Sequence, residues 1–166
     1  MPRFLCFILL LGCAASAADA QTNIELRGTV IHAGCAVESS DRHKTVSLGR
    51  WPVRQLQMAG NITTPVAFSL RLKGCPPGSV SITFSGKAAS NSGWLALSDS
   101  KMAHQVAIQL RDHDLSPLEL ETPSQVMLVD GNGNSLLQFF ANYIALVNNP
   151  TAGIAKADAT FTINYY

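Results

Sequence analysis

Charged residues are scarce in this sequence. Asp, Glu, Lys and Arg make up 14% of the 166 residues, and 12 basic and 11 acidic side chains leave a formal net charge of +1. A protein that binds nucleic acid or an anionic membrane needs a basic surface, so this balance gives no electrostatic reason to expect either partner. Because 47% of the residues are hydrophobic, the composition is typical of a single folded domain with an apolar core.

The sequence also lacks the motifs of common enzymatic and metal chemistry. It contains no G-x-S-x-G, no H-E-x-x-H and no phosphate-binding loop, and its four histidines are dispersed. Asp130, Asn132 and Asn134 imitate the start of a calcium-binding loop. Such a loop needs Gly and Glu where this chain has Ser135 and Ala141. We therefore predict a hairpin turn there, no enzyme activity, and no catalytic, cofactor-binding or metal-binding residues.

The amino terminus has the pattern of a secretory signal peptide, which we assign to residues 1–20. A positively charged start precedes an apolar run over residues 4–11, which is too short to span a bilayer. Small residues then offer cleavage sites after Ala17 and after Ala20, and we favour the second. A lipoprotein anchored through Cys13 is the alternative. Either pattern predicts an exported protein.

Two cysteines remain after removal of the signal peptide, Cys35 and Cys75. A single pair in an exported protein most simply forms a disulfide. The bond would close a loop of about 41 residues and, in the chain-entropy model, stabilise the fold by roughly 4 kcal/mol. Two inert buried thiols, or a metal or redox pair, are the alternatives. Neither cysteine belongs to a C-x-x-C or has a His at ligand spacing, which argues against the metal or redox pair.

Alternation of apolar and polar residues dominates the rest of the chain and predicts β-strands. The alternating segments are 24–30, 66–73, 80–85, 106–111, 137–144 and 159–165. Turns rich in Gly, Pro and Asn separate them at 74–78, 90–93, 130–134 and 148–153. Many short strands with such turns predict an all-β sandwich. We expect one short helical turn near residues 53–58 and no long amphipathic helix.

Two segments resemble type 1-like pilins, the fimbrial subunits of the chaperone–usher pathway. The first, residues 24–37, passes through a Gly into a strand that ends in Cys-x-Val. The second, residues 139–166, is similar to the family's carboxyl-terminal signature, with a penultimate Tyr (Tyr165) and a Gly fourteenth from the end (Gly153). A middle segment, residues 107–112, and the spacing of the two cysteines also resemble the family.

The resemblance implies an incomplete immunoglobulin-like β-sandwich that lacks its last strand and is completed by a donor strand from another subunit. It divides the remaining chain into an amino-terminal donor-strand extension, residues 21–30, and a pilin domain, residues 31–166. The residues expected on the inserted face of the donor strand are Thr22, Ile24, Leu26 and Gly28. The alternative is that residues 24–30 form the first strand of the chain's own sandwich.

The resemblance also implies a function and partners. It predicts a structural subunit of a surface fimbria that supports cell adhesion and is exported through the periplasm. The expected partners are a periplasmic pilus chaperone, an outer-membrane usher and neighbouring pilin subunits. The motif expected at the edge strand that meets the chaperone comprises Gly153, Phe161, Ile163, Tyr165 and Tyr166. Tyr166 is bulkier than the last residue of many such pilins. A single-domain adhesin is the alternative, with Trp51 and Trp94 as its candidate receptor-binding residues.

Overall fold

The computed structural model describes residues 34–90, 92–98 and 103–166. Within these residues the strands are β1 (Ala36–Val37), β2 (Val66–Lys73), β3 (Ser79–Gly86), β4 (Val106–Arg111), β5 (Pro117–Leu118), β6 (Met127–Leu128), β7 (Ser135–Ala145) and β8 (Ala159–Tyr165). Two short 3-10 turns span Ser39–Asp41 and Val53–Leu56, and the second confirms the expected helical turn. No helix in these ranges is long and apolar enough to cross a membrane.

The strands form two antiparallel sheets. A five-stranded sheet has the order β1-β2-β7-β4-β5, and a three-stranded sheet has the order β6-β3-β8. The longest pairing in the small sheet runs from Val80 opposite Tyr165 to Gly86 opposite Ala159. The all-β sandwich predicted from strand periodicity is therefore confirmed. The pairing also places the last strand of the chain at an edge of its sheet.

The core fills the space between the two sheets. Alternate residues of each long strand point inwards because successive side chains of a strand face opposite sides. Those buried most completely are Leu70, Leu72, Val80, Ile82, Leu137 and Phe139. The Phe139 ring lies 5.1 Å from that of Phe84 and 5.7 Å from that of Phe68, measured between centroids. Each such side chain stabilises the fold by roughly 1.5–3 kcal/mol.

The other face of the large sheet is also partly covered. On β7 the sequence pattern places Ile144 opposite the core side, yet Ile144 is buried. It packs with Ala107 of β4 against Ala89 and Trp94, which precede β4 in the chain. A second layer of apolar contacts therefore lies outside the sandwich core.

The disulfide predicted in the loops is confirmed, whereas the predicted hairpin is only a turn. The disulfide Cys35–Cys75 is present and ties the start of β1 to the turn between β2 and β3. Asp130 caps a tight turn before β7, where its carboxylate accepts hydrogen bonds from the backbone N–H groups of Asn132 and Asn134 at 2.9 and 2.7 Å. These bonds hold the pKa of Asp130 below its usual value. The segment that imitates a calcium loop is thus a tight turn, but β6 and β7 on either side of it belong to different sheets, so it does not join a β-hairpin as predicted.

Candidate functional site: a groove beside the last strand

One edge of β8 is unpaired within the described part of the chain. On its other side β8 pairs with β3, and Tyr166 prolongs the ladder because its backbone N–H and C=O bond to Ser79 at 2.9 and 3.1 Å. The sheet order places no strand on the outer side of β8 among residues 34–90, 92–98 and 103–166. An edge of this kind presents a row of N–H and C=O groups that can pair with another strand.

A second segment, residues 42–51, lines the space beside β8, and we call it the free wall. Val46 and Leu48 of the free wall pack against the core, and Leu48 is buried. Within the described ranges, no backbone–backbone hydrogen bond joins residues 43–50 to another segment. The free wall is therefore held by its side chains, and its backbone is not part of a sheet.

Two cavities follow one another between these walls. One, of about 600 Å³, lies between residues 49–56 and residues 151–156. The other, of about 390 Å³, lies between residues 42–48 and residues 157–161. The free wall passes from one cavity to the next. Together they form one elongated depression, which we call the groove.

The floor of the groove is apolar and continuous. On β4, Val106 lies under the first cavity, and Ile108 and Leu110 lie under the second. These residues share one face because they alternate along the strand. On the neighbouring strand β7, Tyr143 lies under the first cavity and Ala141 lies under the second. Burial raises the pKa of Tyr143, whose hydroxyl donates to the Ala155 carbonyl at 3.4 Å.

The rim of the groove is basic. Arg42, His43, Lys44 and Arg50 lie on the free wall, and Lys156 lies on the opposite side. The described residues that line the groove include no carboxylate. The arrangement suits an extended segment whose alternate side chains are apolar, since such a segment could fill the floor and pair its backbone with both walls.

Comparison with known proteins agrees with this geometry. The family model for fimbrial proteins matches residues 24–166. The chain belongs to the fimbrial protein family. It is 53% identical over 151 residues to the fimbrial-like protein FimF of Salmonella typhimurium, covering 91% of this chain and 88% of that protein. It is 34% identical over 169 residues to a type-1 fimbrial protein, C chain, of Escherichia coli, covering 95% and 92% of the two chains.

Solved structures support the same fold. The P pilus rod subunit PapA superposes with a TM-score of 0.66 over 80% of this fimbrial protein and 99% of PapA, at 18% identity, which shows the fold alone. A type I fimbria protein of Burkholderia pseudomallei superposes with a TM-score of 0.63 at 27% identity, over 80% of this chain and 89% of that one. The protein is a structural subunit of a surface fimbria, exported to the cell surface.

The residues expected at the edge strand are only partly brought together in the fimbrial subunit. Gly153 and Phe161 line the groove, one in each cavity. Ile163 is half-buried against the core. Tyr165 and Tyr166 are 44% and 64% exposed, so the last two residues remain accessible at the end of β8.

Alternation along β8 predicts that Tyr165 faces the core together with Phe161 and Ile163, but Tyr165 is exposed. The Tyr165 hydroxyl lies 3.4 Å from the Cys35 carbonyl oxygen. It also lies beside Gly34, where an added Cβ atom would come within 3.2 Å of the Tyr165 hydroxyl oxygen. Tyr165 is thus at the end of the sandwich, where β1 begins. Alternation predicts the face of a residue correctly, but it does not predict where the core ends along the strand.

The donor face predicted for the fimbrial subunit, Thr22, Ile24, Leu26 and Gly28, lies outside the described residues. Sequence reasoning missed the free wall. Its only signal is that Val46 and Leu48 alternate with polar neighbours, a pattern too short to predict a strand. The two tryptophans considered for an adhesin have other contacts: Trp94 packs against the outer apolar layer, and the Trp51 indole N–H donates to the Leu48 carbonyl at 2.6 Å.

Proposed function

We propose that this fimbrial subunit assembles by donor-strand exchange, in which its groove receives residues 21–30 of a neighbouring subunit. The observation that carries the proposal is an apolar groove bounded by the free wall and by residues 151–161, which run into β8, and neither wall pairs across the gap within the described residues. An inserted strand would bond to both. The proposal includes the division of the chain into a signal peptide (1–20), a donor extension (21–30) and a pilin domain (31–166).

The proposed donor fits the groove in length and pattern. Residues 21–30 and residues 42–51 are each about ten residues long, and an extended segment of that length spans about 33 Å. Ile24 and Leu26 would face the floor, and burying them would contribute roughly 1.5–3 kcal/mol each. Ladder hydrogen bonds would add about 0.5–1.5 kcal/mol apiece. Glu25, on the opposite face of the strand, would remain solvated near the basic rim.

An open groove also accounts for the proposed chaperone and usher. An uncovered edge strand beside exposed apolar surface promotes aggregation, so an isolated subunit needs a temporary partner. We infer that a periplasmic pilus chaperone covers the groove and that an outer-membrane usher exchanges it for the donor segment. Tyr166 is 64% exposed at the end of β8, so side chains of such a chaperone could contact it there. On this account the subunit acts by binding other proteins and catalyses no reaction.

The test uses the full chain with a second copy of residues 21–30 fused behind Tyr166 through a flexible linker. In the fused copy, the residue equivalent to Ile24 is changed to Asn, and in a matched control the residue equivalent to Glu25 is changed to Gln. Urea unfolding measures the stability of each protein. We expect the Asn variant to lose about 2–4 kcal/mol, because a polar side chain replaces an apolar one in a buried site. The Gln variant should lose less than about 0.5 kcal/mol.

Two results would contradict donor insertion. The first is that the fused copy adds no stability to the parent chain. The second is that the two substitutions have equal effects, because a strand in the groove distinguishes its inward from its outward face.

A further inference from the structure

The pairing between β1 and β2 stops abruptly. Ala36 is opposite Lys73 and Val37 is opposite Leu72, so the same register would next pair Glu38 with Arg71. Only half of that pair forms: the Glu38 N–H donates to the Arg71 carbonyl at 2.9 Å. The Glu38 carbonyl instead accepts the Asp41 N–H at 2.8 Å, within the 3-10 turn.

The side chain of Asp41 supplies the acceptor that the ladder lacks. Its carboxylate accepts the backbone N–H of Arg71 at 2.9 Å and the Arg71 guanidinium Nε–H at 3.0 Å. Asp41 is only 1% exposed, and these bonds hold the pKa of its carboxyl well below the usual range. A side chain thus takes the place of the next residue of β1 at the outer edge of β2.

The side chain of Lys44 likewise replaces a backbone partner of β2, at Ser69, the next position that the ladder would have used. The β1–β2 register would place Ser40 opposite Ser69. Instead the Lys44 ammonium donates to the Ser69 carbonyl at 2.6 Å, and it also contacts the Asp41 carboxylate at 2.6 Å. Lys44 belongs to the free wall, so this pair connects the free wall to β2 without using the backbone of residues 43–50.

We propose that Asp41 and Lys44 are positioning residues of the groove, which replace two ladder positions of β2 and so keep the free wall available to a donor strand. The inference rests on the donor-strand function proposed above and names the residues that fix one wall of the acceptor. A backbone that paired with β2 would have used half of its hydrogen-bonding groups there. Held by side chains, residues 43–50 can pair with the segment that enters the groove.

The test measures amide hydrogen exchange in the full chain with the fused donor copy described above. The first variant, Asp41→Asn, removes the charge that holds Lys44. The second, Lys44→Met, keeps the stem of the side chain and leaves the buried Asp41 carboxylate in place, so it tests the proposal even if Asp41→Asn does not fold. Exposed Asp114→Asn is the matched control. Its carboxylate also accepts a backbone N–H, that of Ser116 at 2.9 Å, but in a turn that does not line the groove.

We expect protection of residues 43–50 to fall about tenfold in both variants, because local opening of this wall becomes easier. Protection of β7 and β8 should stay within about twofold of the parent protein, and Asp114→Asn should leave all three segments unchanged. Unchanged protection of residues 43–50, or an equal loss across β7, would overturn the positioning role while leaving donor insertion intact. If the fused donor protects neither wall in the parent protein, donor insertion itself fails and the inference fails with it.

Discussion

Phe161 should contribute more to stability when the groove is filled than when it is empty. The ring is half-buried, lines the second cavity and contacts Phe84 edge-on at a centroid distance of 6.3 Å. One side of the ring therefore packs on the core, and the other faces the space in which we place the donor strand. Substitution of Phe161 by Ala measures how much of that second side becomes covered.

The magnitude follows from the burial of the ring. Truncating a fully buried Phe to Ala costs about 3–5 kcal/mol, and a half-buried ring should cost about half as much, roughly 2 kcal/mol. Once a donor strand covers the exposed side, the cost should approach the full value. Phe161→Ala should therefore reduce the stabilisation supplied by the fused donor copy by about 1–2 kcal/mol.

The assay compares urea unfolding of the full chain with and without the fused donor copy. Ile82→Val is the control, because Ile82 is fully buried in β3 and does not line the groove. Its cost of about 0.5–1.5 kcal/mol should be the same in both proteins. If Phe161→Ala also costs the same in both, no strand covers that face of the ring and the assignment of the groove is wrong.

Three further predictions concern the disulfide, acid and the tail. Cys75→Ala should lower the free energy of unfolding by roughly 4 kcal/mol, and finding two free thiols in non-reduced peptide maps would contradict this. Hydrogen bonds from Arg71 keep the pKa of Asp41 below its ordinary value of 3.8. The ionised carboxylate therefore stabilises the fold above about pH 4, and this stabilisation is lost as the pH falls further. In acid titrations of the free energy of unfolding, Asp41→Asn should make this loss smaller. Deletion of Tyr165 and Tyr166 should prevent co-purification with the pilus chaperone but permit folding with a fused donor, and wild-type recovery of the complex would refute the role of the tail.

Much of the fold could be predicted from the sequence because alternation records which face of a strand is buried. The alternating segments 66–73, 106–111 and 159–165 coincide with β2, β4 and β8. The pattern persists on β4 although both faces of that strand are buried, because its outward residues are the small Ala107 and the polar Gln109. It is weaker for β7, where Ile144 is buried on the outer face by a loop that the pattern does not report.

The site was less accessible to sequence reasoning. The free wall has no ladder and too few alternating residues to be recognised as a strand, and the role of Asp41 depends on a register between segments distant in sequence. That β8 is an edge strand depends on its pairing with β3, another non-local contact. The family resemblance supplied the idea of an incomplete sandwich, whereas the position and lining of the groove required the structure.

The measurement that tests the central claim most directly is a cysteine trap between two copies of the full chain. One copy carries Ile24→Cys, on the inward face of the proposed donor, and the other carries Ala159→Cys, which lines the groove. Under mild oxidation the account predicts a covalent dimer, and it predicts little dimer when Glu25→Cys replaces Ile24→Cys as the donor. Equal trapping by both donor positions, or no trapping by Ile24→Cys, would contradict insertion of residues 21–30 into this groove.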